Sequence, residues 1–316
     1  MIQYLIILLD DTSVSFCHYT NGQSAPRLMS IDTLCEAVRY AMKENLNIQL
    51  VYPRYALPQE YEEVIDTIDH VCIKPATMAE GADVVVFDSI AEASHFDAYR
   101  REDTVYVVRT SRQSLFAEVD NVSTLLPKFS RLNLVITDIE AFTDEDFKTY
   151  ADVLGTLSQA VEAIYAGGST VQLNVLTDRM MLDQMNNCGA GDTSVTLAPD
   201  GRFYICPAFC YDKDGHAVGD LATGLNILNQ QLYRLDHAPL CRRCDAYQCR
   251  RCIWLNHKAT LEVNTPSHEQ CVVAHLERNA SRELLDNIRR HGVFLPDREV
   301  IKKIDYLDPF DVRKEW

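Results

Sequence analysis

Eight of the eleven cysteines fall between positions 188 and 271 of a 316-residue chain. They are Cys188, Cys206, Cys210, Cys241, Cys244, Cys249, Cys252 and Cys271, and four of them make the cassette CRRCDAYQCRRC from 241 to 252. A thiolate is a soft ligand that suits zinc or iron–sulfur clusters. A C-x2-C pair lets neighbouring thiolates converge on one centre, and here two such pairs are joined by four residues. Four thiolates complete one structural zinc site or one 4Fe–4S cluster, and eight complete two. The odd count and the clustering do not fit a disulfide framework. Zinc, iron–sulfur clusters and free thiols all remain open at this point.

The charges beside these thiols matter as well. Arg242, Arg243, Arg250 and Arg251 interleave with the cassette cysteines. Cations there either stabilise thiolates and raise a cluster's potential, or face water. Other reactive types are set aside. Cys17, Cys35 and Cys72 read as apolar fillers. His18, His70, His216, His257 and His275 show no metal spacing such as H-E-x-x-H. Asp10-Asp11 closes the first apolar run, in a capping or solvated role.

Composition narrows the function classes. Hydrophobic content of 47% and charged content of 24% are those of an ordinary folded domain. A formal net charge of −16 argues against a nucleic-acid partner. The first eleven residues, MIQYLIILLDD, carry no basic segment, and their apolar run is too short for a signal peptide or a membrane span. The expectation is a cytoplasmic protein with reduced thiols.

The elements that must position these residues alternate. Strands are predicted at 4–9, 48–51, 70–73, 83–87, 104–108 and 132–137. Helices are predicted at 31–44, with Ser30 as N-cap, and at 59–68, 89–99, 112–126 and 144–166, the last ending at Gly167-Gly168. About six βα repeats call for a parallel sheet, open or closed as a barrel. No G-x-G-x-x-G or Walker loop announces a nucleotide site. A strand is expected at 171–175, a hairpin at LAPDGRFYIC and helices at 225–235 and 272–288. The segment 291–316 is apolar enough to pack back on the body.

The cysteine-rich half resembles the SPASM domain of peptide-modifying radical SAM enzymes. The family order is a Cys, a spacer, Gly-x4-Cys, a four-Cys cassette and a last Cys. Cys188, Gly201, Cys206, the 241–252 cassette and Cys271 follow it. The cassette departs from the usual C-x2-C-x5-C-x3-C, being C-x2-C-x4-C-x2-C. The resemblance implies two 4Fe–4S clusters, one on Cys188, Cys206 and Cys252 with Cys210 as candidate fourth ligand, the other on Cys241, Cys244, Cys249 and Cys271. Zinc is the alternative.

Residues 1–169 resemble a radical SAM barrel that has lost its chemistry, giving an α/β chain: a partial (βα)6 barrel, a SPASM-like domain at 170–290 and a C-terminal segment at 291–316. The family's C-x3-C-x2-C after the first strand is here Ser13, Cys17 and Thr20, with Tyr19 before the third position. Hydroxyls are poor ligands for a soft cluster. Its Gly-Gly-Glu-Pro after the second strand is replaced by Val51-Tyr-Pro-Arg-Tyr-Ala-Leu-Pro58. The bland alternative is an unrelated α/β domain whose spacing at 13, 17 and 20 is chance.

Over its full length the chain resembles the CXXX repeat peptide maturase family. That implies work on a ribosomally made Cys-repeat precursor peptide beside a separate, true radical SAM enzyme, without cleavage of S-adenosylmethionine by this chain. An independent redox or Lewis-acid enzyme and a zinc-stabilised binding module are the alternatives.

Overall fold

The computed structural model describes residues 1–97, 102–213 and 215–309. In chain order the elements are β1 (Tyr4–Leu8), α1 (Ile31–Glu44), β2 (Asn47–Val51), α2 (Gln59–Ile65), β3 (His70–Pro75), β4 (Val84–Phe87) and α3 (Ile90–Ser94). Next come β5 (Val105–Thr110), α4 (Arg112–Ala117), α5 (Val119–Leu125), β6 (Arg131–Ile136), α6 (Asp144–Ala166), β7 (Gln172–Leu173) and α7 (Asn174–Met181). The last are β8 (Ser194–Leu197), β9 (Phe203–Tyr204), α8 (Pro207–Tyr211), β10 (Gly219–Asp220), β11 (Gly224–Leu225), α9 (Ile253–Thr260) and α10 (His268–His291). No helix among the described residues is long and apolar enough to cross a membrane.

The chain forms two compact units, Met1–Val86 with Gly189–Ala238 and Phe87–Cys188 with Pro239–Trp316. In the first, the strand order is β4-β3-β2-β1-β8-β9, parallel except for the β8–β9 hairpin. Sequential order without a switch of direction is that of consecutive βα repeats rather than of a doubly wound sheet. Strand β1 is apolar on both faces because it is interior. Leu5, Ile7 and Leu9 pack with Leu34, Ala37, Val38 and Ala41 of α1 and Tyr61 and Ile65 of α2 in one core. Each buried Leu, Ile or Val among them contributes roughly 1.5–3 kcal/mol. Ser30 caps α1 by accepting from Thr33 N, as its type and place predict. The hairpin turns at Gly201, whose φ of +80° no β-branched residue would accept, and Gly201 N donates to Ala198 O at 3.0 Å.

In the second unit, β6 lies between β5 and β7, all parallel. The long helices α6 and α10 pack together. Both begin in capping boxes, Thr143 with Asp146 and Ser267 with Gln270. Of the C-terminal segment, residues 291–309 are described. Ile301 and Asp308 are buried, and Arg289 donates to the Phe294, Leu295 and Arg298 carbonyls. Residues 310–316, and residues 98 and 99 of the expected 89–99 helix, lie outside the described residues.

Three local expectations need correction. The expected strand 171–175 stops after Leu173, because the Asn174 side chain takes over the ladder. It accepts from Leu134 N at 2.7 Å and donates to Leu134 O at 3.0 Å, while the backbone enters α7. The expected helix 112–126 breaks at Glu118, whose backbone leaves helical geometry. The expected helix 225–235 is absent. Leu225 ends β11, Asn229 sits in the left-handed region at φ 50°, and only short 3-10 turns follow at Gln230–Tyr233 and Leu235–His237.

Candidate functional site

The loop after β1, in the first unit, holds the three positions where the radical SAM pattern would carry thiols. Ser13 is fully buried. Its hydroxyl donates to Val51 O at 2.8 Å and accepts from Asp10 N at 3.1 Å. Val14 N donates to Tyr52 O at 3.0 Å, and Tyr55 OH donates to Asp10 Oδ2 at 2.8 Å. The two loops, after β1 and after β2, are therefore bonded to each other. Asn21 Nδ2 ties the loop further through Asp11 O and Ser13 O. Cys17 is half-buried and Thr20 is exposed. The aromatic Tyr19 is buried and stacks on Tyr211 with ring centres 5.8 Å apart.

These residues do not fit a three-thiolate cluster. One thiol is present, and the hydroxyl at 13 is spent on main-chain groups. The carboxylate of Asp10, expected at a cap or in water, is instead buried and accepts from Tyr55 OH and Thr12 N. Burial, then Asp10, pushes the Tyr55 phenol up, so it stays a donor. Asp11 pairs with Arg27 at 2.6 Å on the surface.

The cassette, in the second unit, is arranged differently. Cys241, Cys244, Cys249 and Cys271 all line one cavity enclosing about 400 Å³ of space outside the atoms, its open mouth included. Three of these come from the cassette and Cys271 from the first turn of α10. Met185, Leu240, Ala246, Pro266 and Ala274 supply apolar walls. Backbone N–H groups point at two of the sulfurs: Ala246 N at 3.5 Å from Cys244 Sγ, and Arg251 N at 3.4 Å from Cys249 Sγ. Such N–H···S bonds stabilise and tune cluster thiolates. Arg251, with φ 46°, is buried and lines the cavity, its Nε donating to Asn187 Oδ1 at 2.8 Å. Arg242, Arg243 and Arg250 are exposed. The interleaved arginines thus split one to three between the thiols and water.

Burial pushes every one of these thiols up: Cys241 to about 11, with Arg251 opposing, and Cys244, Cys249 and Cys271 upward as well. Four thiolates in an apolar cavity need a cation to offset their charge, so ionisation and metal binding there are coupled. Thiols, N–H donors and a buried guanidinium together fit a soft metal centre. Among the described residues, no three His, Cys, Asp or Glu side chains converge on one point at metal-binding spacing.

Asp245 anchors the cassette. Burial works to raise its carboxyl, but Arg278 and Arg179 outweigh that and hold it below the ordinary range. Arg278, fully buried, donates through Nε and Nη2 at 3.0 and 2.7 Å, and Arg179 through Nη2 at 3.1 Å. Arg179 also lies 4.3 Å from the Tyr247 ring centre. Beneath, Glu277 accepts from Tyr150 OH at 2.8 Å and from Gln248 Nε2 at 3.3 Å. Burial raises its carboxyl to about 7.

The other four thiols divide between the units. Cys188 and Cys252 belong to the second, where Cys188 N donates to Arg250 O at 2.9 Å and so reaches the end of the cassette. Cys206 and Cys210 belong to the first, at the N-cap and in the body of α8. Burial, with Asp200 and Asp11 adding to it, pushes the Cys210 thiol up to about 12. Cys72 is buried in the core of the first unit, in the filler role its sequence context suggests.

One cavity residue escaped the sequence reading. His275 belongs to no metal motif in the sequence, yet its ring lines the cassette cavity, with Nε2 3.5 Å from Cys244 Sγ. The signal was present as Cys271-x3-His275, one helical turn apart on α10.

No family model matches the chain, and no curated protein matches it. Solved structures do match. A structure of native anSMEcpe with bound AdoMet and the Cp18Cys peptide has a TM-score of 0.61 at 12% identity, covering 92% of this chain and 100% of that one. A histidine-tagged anSMEcpe with bound AdoMet has a TM-score of 0.61 at 13% identity, covering 93% and 97%. A structure of Streptococcus suis SuiB bound to precursor peptide SuiA is far more distant, with a TM-score of 0.42 at 10% identity over 73% of this chain and 64% of that one. The chain therefore shares the α/β, mostly parallel fold of the radical SAM enzyme anSMEcpe.

Proposed function

We propose that this chain is a metal-bearing subunit of peptide maturation, working beside a separate radical SAM enzyme on a ribosomally made Cys-repeat precursor, as in the CXXX repeat peptide maturase family. The observation that carries this reading is the loop after β1. Ser13 bonds Val51 O and Tyr55 bonds Asp10, so the loop is closed by its own polar groups and holds one thiol where three are needed. The chain keeps the enzyme's fold and gives up its radical-generating site.

In this reading Cys241, Cys244, Cys249 and Cys271 hold one 4Fe–4S cluster. Such clusters supply one-electron transfer when bound. The residues around the cassette do the rest. Ala246 N and Arg251 N hold the sulfurs by hydrogen bonds, Arg251 offsets thiolate charge, and the Asp245–Arg278–Arg179 triad fixes the cassette's path. The precursor peptide and the catalytic enzyme are the partners.

The test is anaerobic purification of the full chain, with iron, sulfide and zinc measured per chain. The reduced protein is then incubated with S-adenosylmethionine. Iron and sulfide in near-equal amounts with no 5′-deoxyadenosine is the expected result. Steady formation of that nucleoside, lost in Cys17→Ala, sinks the subunit reading. Stoichiometric zinc without iron favours the binding module instead. Co-expression with a radical SAM enzyme that retains its three cysteines should raise peptide modification, and equal modification without this chain counts against a shared task.

A further inference from the structure

His275 is 2% exposed and held from two sides. Its Nδ1 is hydrogen-bonded to the Leu307 carbonyl oxygen, and the Tyr306 ring stands nearly perpendicular to it, with centres 5.6 Å apart. A carbonyl only accepts, so Nδ1 carries the hydrogen in that bond. In the neutral ring the remaining nitrogen, Nε2, presents a lone pair, and it lies in the cavity 3.5 Å from Cys244 Sγ. With metal–sulfur and metal–nitrogen bonds of about 2.3 and 2.1 Å, a tetrahedral centre requires its sulfur and nitrogen ligands to lie roughly 3.6 Å apart. The observed 3.5 Å is a hydrogen-bond separation to Cys244, and it also places Nε2 within reach of a metal atom held at that position. A histidine ligand also carries its other nitrogen on a backbone carbonyl, the partner that fixes its orientation in metal sites.

We propose that His275 is the alternative donor to Cys244 in the cassette cavity: its Nε2 faces the metal position that Cys244 serves, so that a metal atom there keeps a protein donor when Cys244 is removed. The proposal rests on the reading that the cavity holds a soft or borderline metal, as iron in a cluster or as zinc. It makes Cys244 the dispensable thiol of the four. Cys249, whose sulfur is met by the Arg251 N–H rather than by an imidazole, is an indispensable one.

The experiment compares anaerobically purified full-length wild type, Cys244→Ala, Cys244→Ala/His275→Ala and Cys249→Ala. Iron, sulfide and zinc are measured per folded chain, and the reduced iron forms are examined by pulsed electron paramagnetic resonance for nitrogen coupling. Cys244→Ala should keep more than half of the wild-type metal and, if it holds iron, show a directly bound nitrogen. The double variant and Cys249→Ala should lose it. Equal metal in Cys244→Ala and the double variant overturns the proposal, as does a retained cluster without nitrogen coupling. Should Cys244→Ala not fold, His275→Gln in the four-thiol background decides. Its metal should pass to a chelator at least about tenfold faster than in wild type, and an unchanged rate overturns the proposal. Wild type carrying zinc alone removes the iron–sulfur reading but leaves His275 to be judged by the same retention. Wild type with neither metal removes both.

Discussion

The loop after β1 and the cassette are both thiol-spaced segments next to a strand or helix end, yet they have opposite fates. At 13, 17 and 20 the spacing of a cluster site persists, while Ser13 hydrogen-bonds main-chain groups and Thr20 faces water. At 241–271 the spacing is altered, while four thiols still line one cavity with N–H groups aimed at two of their sulfurs. Spacing alone is thus a poor guide to chemistry. What distinguishes the two is whether the donor atoms are left facing a space or are used up by the backbone.

The sharpest way to break the contrast is Cys249→Ala. Loss of a buried cassette donor should abolish metal binding and lower Tm by about 5–10 °C. Cys17→Ala, in the other loop, should leave metal content unchanged. Equal metal content in both variants and the wild type would erase the distinction. Next is Asp245→Ala, which strands the fully buried Arg278 guanidinium without its carboxylate. A loss of roughly 3–5 kcal/mol is expected in denaturant unfolding, and a change under about 1 kcal/mol would show the triad to be incidental.

Glu277, beneath the cassette, gives a pH signature. Its carboxyl is raised from 4.5 to about 7, so the folded protein binds more protons than the unfolded chain in that window. Its stabilisation is full below pH 4.5 and is lost as pH rises through about 7. By linkage the loss is on the order of 3 kcal/mol. The Tm difference between Glu277→Gln and wild type should therefore grow from pH 5 to pH 8, in the variant's favour. A constant difference would mean the carboxyl titrates normally. The smallest effect is Ser13→Ala, which leaves Asp10 N without its hydroxyl acceptor and Val51 O with Leu9 N alone, and should cost about 1–3 kcal/mol. A neutral or stabilising result would mean that the hydroxyl does not close the loop.

The sequence by itself determined a good deal. Alternation of apolar runs with helical periodicity specified consecutive parallel βα units, because an interior strand must be apolar on both faces and a helix on one. Ser30 and Pro199-Asp200-Gly201 fixed their cap and turn through local hydrogen-bonding chemistry that needs no distant partner. The hydroxyls at 13 and 20 and the thiols of the cassette were equally plain, since a ligand's softness belongs to the side chain itself.

Tertiary structure decided what depends on residues far apart in the chain. The 194–204 hairpin reads as part of the cysteine-rich region, yet β8 pairs in parallel with β1, from Tyr4–Ser194 to Ile7–Leu197. No local signal carries that, because strand pairing is chosen by whichever edge is open. Asn174 ended a strand by substituting its amide for the ladder of β6. One arginine of four turned inward at Arg251, where a left-handed backbone aims its N–H at Cys249, and His275 reached the thiols only because α10 sets it one turn beyond Cys271. Burial and direction separate a ligand from a bystander of the same residue type, and both are properties of the packed chain.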